Sequence, residues 1–336
     1  VKGAFDRARR ALEIPAFRAL LPLLAVLLLG SVFHGNGAFF EWQTHRALLR
    51  EVAVIGTLAC GMTVVIVSGG IDLAVGSVLA VSAVSFALLV LPHGISALAA
   101  IPLVLASGAI AGALSGLLVA RARIQPFIVT LAMMVFARGL AKELSGGQKI
   151  SSYFQGADGR FVSVPQPAIF RAIDQRVLGD AISVVTLIFL GSALLTWVVL
   201  ERLRIGRYLY AVGGNFEAAR LSGVPVRKTL IFAYALSGLF AALAGICQAA
   251  QETHGDPETG AGYELDAIAM VVLGGTSLAG GRGGIGLTLV GTLTLGYLQK
   301  VLSLNAYSTE VRLMLTGVIL IVAVLFQRRL GRSTMD

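Results

Sequence analysis

The chain has 336 residues, of which 56% are apolar and only 13% charged, about half the roughly 25% charge of a soluble domain. That composition cannot clothe a water-exposed surface, and with a mean hydropathy of +0.83 lipid must solvate most side chains; a soluble globular fold is excluded. The net charge of +9 is carried by short loops between apolar runs, a pattern that sets membrane topology and gives no sign of nucleic-acid binding.

The apolar runs are continuous, not alternating, so the backbone must satisfy itself within each segment; this gives an all-α bundle and no barrel. In chain order the runs cover about 15 to 33, 50 to 68, 70 to 91, 95 to 119, 124 to 144, 181 to 200, 229 to 251, 263 to 278, 284 to 302 and 309 to 326. About ten helices are expected, in one membrane-spanning domain over residues 1–336. The basic prelude and first run lack a small-x-small cleavage site, so that run reads as a first anchor.

With the N-terminus inside, the inner loops hold Lys2, Arg7, Arg9, Arg10, Arg121, Arg123, Arg202, Arg204, Arg207, Arg220, Arg227, Lys228, Arg282, Arg328, Arg329 and Arg332, 16 of the 27 basic residues. The outer loops hold Arg46, Lys149, Arg160, Arg171 and Arg176, scattered. The bias predicts both termini in the cytoplasm and an even number of crossings.

Two loops are long. The outer one, about 145–180, has no span-length run and is expected to cap the outer face. The inner one, about 201–228, is the most basic segment. Within it Phe216 to Ser222 predicts a short helix, with Asn215 as N-cap, Glu217 in the first turn against the positive helix end, and Gly223 at the stop. There is also an internal echo: GGIDLAVG from Gly69 and GGTSLAGG from Gly274 agree at five of eight positions. Such duplications with interrupted helices mark transporter halves, and both copies fall toward the inner side.

None of the five lysines follows a glycine, so the chain lacks a P-loop and does not hydrolyse ATP by that route. Acids in the apolar runs, Asp72, Glu143, Glu264, Asp266 and Glu310, sit at run edges, which gives an ion relay poor support. Cys60 and Cys247 lie inside runs and read as packing residues. His34, His45, His93 and His254 have no metal spacing, and no catalytic site is expected. Trp42 and Trp197 read as interface anchors. Gly108, Gly112 and Gly116, and likewise Gly280 and Gly284, put small faces at four-residue spacing for close helix packing.

VSGGIDLAVGSVLA from Val67, GRYLYAVGGNFEAARLSGV from Gly206 and GYELDAIAMVVLGGTSLAGGRGGIGLTLVG from Gly262 together resemble the ribose-type monosaccharide permeases of bacterial ABC importers, a family shared with branched-chain amino acid permeases. The resemblance runs from about residue 50 to 327, with a longer outer segment around Gly156 to Asp180. It implies a multi-pass inner-membrane permease that pairs with a second copy. Separate ATPase subunits, which use ATP and Mg, would lie inside and a periplasmic sugar-binding protein outside. No cofactor or metal is expected on this chain. Carried onto this sequence, Glu217, Ala218, Ala219 and Gly223 match the family's Glu-Ala-Ala-three-Gly coupling element, with Arg207, Asn215 and Arg220 beside it.

For the path, Asp72 beside Gly69, Gly70 and Gly76 reads chiefly as an N-cap of the third span. Gln248, Gln251, Tyr263, Glu264 and Asp266 are the candidate sugar contacts, because a neutral sugar is held by paired hydrogen bonds and aromatic faces. A branched-chain amino acid ABC permease and an ion-coupled secondary transporter are the alternatives.

Overall fold

The computed structural model describes residues 15–155 and 161–308, and positions 310, 311, 314, 315, 317, 318 and 321 beyond them. The basic prelude before residue 15, Arg160, most of the tenth apolar interval and Arg328, Arg329 and Arg332 lie outside the described residues.

The first helices follow the apolar intervals: α1 (Pro15–Val32), α2 (Trp42–Val67), α3 (Val75–Val90), α4 (Ala97–Ala122), α5 (Pro126–Ser145) and, after a capping segment that carries α6 (Ala168–Asp174), α7 (Val184–Trp197). The chain then makes α8 (Arg204–Gly214), α9 (Phe216–Leu221), α10 (Val226–Glu252), α11 (Tyr263–Leu273) and α12 (Ile285–Leu304). Strand structure among the described residues is confined to two antiparallel hairpins, Tyr153–Gln155 with Phe161–Ser163 and Arg176–Val177 with Ile182–Ser183.

Helices α2 and α10 form the centre, and α10 packs against α2, α3 and α4. Most of α2 is buried, and its hydroxyls can sit there because they bond back along the helix: Thr57 Oγ1 to Ala53 O at 2.8 Å and Thr63 Oγ1 to Ala59 O at 2.6 Å. In a dry interior that removes the penalty of a lone hydroxyl. Thr63 also meets Thr288 Oγ1 of α12 at 2.7 Å, a polar tie between helices.

The Gly108, Gly112 and Gly116 stripe seats α4 on α10 as expected. A Cβ at Gly116 would sit 2.8 Å from Ile231 Cα, and one at Gly112 2.8 Å from the Tyr234 carbonyl carbon. The outward faces remain apolar, with Leu28, Ile110, Val135, Phe136 and Leu194 all exposed. Cys60 and Cys247 are buried free thiols.

At the end opposite α9, the segment between α5 and α7 closes over the helices. Phe170 of α6 is buried and stacks on Phe86 of α3 at 5.4 Å. Asp174 pairs with Arg50, and Asp180 with Arg46 at 3.1 Å, fastening the cap to α2.

Two intervals depart from the expected continuous helices. The third begins only at Val75, so α3 has 16 residues and rises about 24 Å. In the eighth, helix is confined to the 11 residues of α11, about 16 Å against a hydrocarbon core of about 30 Å. The expected span to residue 278 is therefore corrected: from Gly274 to Gly284 the chain is a loop. Six glycines in those eleven residues lower helix stability. Gly280 and Gly284 accordingly form no helix face; Gly280 has φ +84 and Gly284 precedes α12.

Candidate functional site

The short helix α9 has the expected caps. Asn215 is extended and its Oδ1 accepts from the Ala218 amide at 2.9 Å, and Glu217 in the first turn pairs with Arg220 at 2.7 Å. Gly223 has φ +81, a conformation that favours glycine. It lets the Val224 amide return to Ala219 O at 3.0 Å. Ala219 is buried toward the bundle, whereas Ala218, Phe216 and Leu221 face outward, Leu221 at 78% exposure. Arg207 is exposed on the neighbouring α8. The seven residues expected in the coupling element thus lie on one α8–α9 unit.

Next to α9 a cleft of about 350 Å³ is lined by Gly69, Gly70, Arg123, Gln125, Glu217 and Tyr234 among others. It joins the α9 surface to the first helix break. That break starts as a Schellman turn: Gly70 N bonds Val65 O at 3.0 Å and Gly69 N bonds Ile66 O at 2.9 Å, with Gly69 at φ +85. The second copy of the echo closes α11 in the same way, displaced by one residue. Thr276 N bonds Val271 O at 3.2 Å and Gly275 N bonds Val272 O at 2.8 Å, with Gly275 at φ +101. Beyond each turn a matched side chain accepts the amide two residues on, Asp72 from Ala74 and Ser277 from Ala279. The two copies lie at the same end of the bundle, where Gly281 N bonds Val67 O at 2.9 Å.

Asp72 is 3% exposed. Its carboxylate accepts from Ala74 N at 3.0 Å and from Ser237 Oγ of α10 at 2.8 Å. The expected N-cap role of Asp72 is therefore corrected: Ala74 is the N-cap of α3, and Asp72, two residues earlier, holds the turn that leads into the helix and ties it to α10. Tyr234 Oη lies above Gly70, buried and without a hydrogen-bond partner.

The remaining candidates gather around the start of α11. After α10 the chain turns back along α3. A Cβ at Gly255 would meet Ala83 O at 2.7 Å, and one at Gly260 would meet Gly76 O at 2.6 Å. This folded-back segment is held from α5: Arg138 donates to Pro257 O at 2.6 Å and to Thr259 O at 2.8 Å, and Lys142 pairs with Glu258 at 2.6 Å. The Glu264 carboxylate lies over Gly76, in the space a side chain there would need. Gln248 donates to Glu252 at 2.7 Å and also meets the Tyr263 hydroxyl. Gln251 is more remote from this group, reaching Arg50 O on α2 at 3.4 Å. Asp266 is half-buried on the first turn of α11.

At the rim of the folded-back segment Asp256 pairs with Lys149 at 3.0 Å, and Gly255 and Ile150 exchange both backbone bonds at 2.8 Å. Partial burial opposes ionisation of Asp256. The Glu258 amide and the Lys149 ammonium outweigh it and hold the carboxyl below the ordinary carboxylate range.

The structure thus joins Tyr263, Gln248 and Glu264 with Gly76, leaves Asp72 on α10 and keeps the α9 residues at one end. Sequence reasoning passed over Arg138, Tyr210 and Gly213. Arg138 had a signal, a cation well inside the apolar run at 124 to 144. Tyr210, whose hydroxyl donates to Gly283 O at 2.9 Å, had none.

The family model described as branched-chain amino acid transport system / permease component matches residues 45–324. A curated relative, the ribose import permease protein RbsC of Escherichia coli K12, is 39% identical over 320 residues, 93% of each chain. The ribose import permease protein RbsC of Haemophilus influenzae is 36% identical over 334 residues, 98% of each chain. The fructose import permease protein FruG of Bifidobacterium longum is 33% identical over 317 residues, covering 94% of this chain and 91% of the relative. No solved structure matches.

Proposed function

This chain belongs to the branched-chain amino acid transport system / permease component family, and from that premise we propose that it is the membrane subunit of an ATP-driven monosaccharide importer. The observation that carries the reading is 39% identity to a ribose import permease along 93% of both chains, with sugar importers again among the other relatives. It is a multi-pass membrane protein that moves its substrate without transforming it.

In this reading α9 is the element on which a separate ATPase subunit seats. Phe216 and Leu221 supply exposed apolar contact, Glu217 and Arg220 a charged pair, and the Asn215 and Gly223 caps hold the helix in shape. ATP and Mg belong to that partner, and this chain binds neither. The α9 end faces the cytoplasm of the bacterial inner membrane, as the loop charges require. The capped end receives sugar from a periplasmic binding protein. A second copy completes the gate, and residues 1–336 act as one membrane domain with the capping loop about 145–180 and the coupling loop about 201–228.

Inside, the sugar passes the start of α11, where Tyr263, Gln248 and Glu264 offer hydrogen bonds and an aromatic face. Gln251 and Asp266 border that stretch, and Asp72 keeps the first break in register. A permease fed by a binding protein needs only weak contacts, so small hydroxyl-binding groups suffice.

The test is hydrolysis by the reconstituted assembly of this chain, its ATPase and its binding protein. Ribose-loaded binding protein should raise the ATPase rate several-fold over the unloaded form. Stimulation by leucine in place of ribose would move the substrate to the branched-chain amino acids, and assembly with no ATPase at all would end the importer reading.

A further inference from the structure

Helix α8 touches both helix breaks at once. Its C-terminal Gly213 sits where a Cβ would lie 2.7 Å from Gly281 N and 3.0 Å from the Ser68 carbonyl carbon, and inside contact distance of Val67 O. A Cβ at Gly280 would in turn lie 2.8 Å from Gly69 Cα and 2.8 Å from Gly213 O. These contacts are backbone on backbone, with no flexible side chain between them to absorb a displacement. One turn earlier Tyr210 Oη donates to Gly283 O at 2.9 Å, and the breaks are joined directly by Gly281 N to Val67 O at 2.9 Å. Only Gly214 separates Gly213 from Asn215, the cap of α9.

We infer that α8 is the relay between the coupling helix and both breaks, with Tyr210 and Gly213 as its positioning residues. The inference rests on the importer reading given above. Close-packed backbone transmits motion because it deforms little. A pull on α9 therefore shifts Val67–Gly70 and Gly280–Gly283 together, and with them the inner ends of α2 and α11. The paired glycine motifs of the sequence are the two ends of this one contact. Of their glycines Gly69, Gly280 and Gly281 face Gly213 and Gly214, and a side chain at Gly280 or Gly281 would separate α8 from the breaks.

The relay is tested with a reporter in the second break. Ala279 is exposed whereas Cys60 and Cys247 are buried, so an Ala279→Cys chain carries one reactive thiol. In the complex with its ATPase, maleimide labelling of that thiol is timed without nucleotide and after trapping with ATP and vanadate. The wild-type background should show a clear change in rate between the two conditions. Tyr210→Phe should shrink that change roughly two- to tenfold, the worth of one lost hydrogen bond, and Gly213→Ala should abolish it. Tyr208→Phe, two residues before Tyr210 and outside the junction, should leave it intact. Co-purification of the ATPase and thermal unfolding of Tyr210→Phe should match wild type, which separates the relay from a folding defect. An unchanged nucleotide response in Tyr210→Phe and Gly213→Ala, or no response in the wild-type background with ATPase bound, overturns the relay alone. Failure of the wild-type chain to bind the ATPase overturns the importer reading and the relay with it.

Discussion

At the scale of single residues, most buried polar groups bond within the bundle, the Tyr234 hydroxyl being an exception, and backbones approach where side chains are small. The Ser237 hydroxyl donates a hydrogen bond to buried Asp72, so Ser237→Ala leaves a carboxylate oxygen short of a donor. A loss of about 1–3 kcal/mol is expected, read as a lower thermal midpoint in detergent. Gly112 lies against the Tyr234 carbonyl whereas a Cβ at Gly139 on α5 would meet nothing within 4 Å beyond its own helix. Gly112→Ala should therefore destabilise by about 1–3 kcal/mol, and Gly139→Ala should be neutral or stabilise by up to about 1 kcal/mol. Equal effects of the two would contradict the packing of α4 on α10.

Asp256 gives a pH dependence whose sign follows from its lowered pKa. The folded-state value lies below the unfolded one, near about 3.9. Its stabilisation is complete above the unfolded value and is lost as pH falls through the folded value. Amide exchange at Gly255 and Ile150 should thus accelerate only in acid below about pH 4. In Asp256→Asn that acid-dependent step should vanish.

At the scale of elements, α9 is a one-and-a-half-turn helix that depends on its caps. Asn215→Ala removes the acceptor for the Ala218 amide, at a local cost of about 0.5–2 kcal/mol. ATPase co-purification should weaken while the thermal midpoint, set by the buried helices, hardly moves. A matching loss of global stability would place α9 in the core.

This helix was legible in the sequence because capping chemistry is local: Asn215, Glu217 and Gly223 act within a turn of their own positions. The eighth interval was not. Leu273 leads into a Gly-rich stretch that counts with the apolar run, and an apolar count carries no information on backbone conformation. Nor was the fold-back of Gly255–Gly260 along α3, which depends on carbonyls being met by Arg138 from α5, 119 and 121 residues away. Tyr210 was invisible for the same reason, since its partner Gly283 lies 73 residues on.

At the scale of the whole molecule, a central pair of helices, two interrupted ones and one exposed amphipathic turn divide the work. In the proposed reading the breaks at Gly69 and Gly275 are where the inner ends of α2 and α11 move, and α9 is the handle for the ATPase. The composition dictated membrane residence and the motif order indicated the family; the meeting of the two glycine motifs emerged only in three dimensions. The central claim is import of a monosaccharide driven by ATP. Its most direct test is uptake of labelled ribose into proteoliposomes that hold this chain with its ATPase and binding protein, with ionophores present to collapse every ion gradient. Uptake that requires ATP and persists with the ionophores is predicted; uptake that stops with the ionophores, or proceeds without the ATPase, would contradict it.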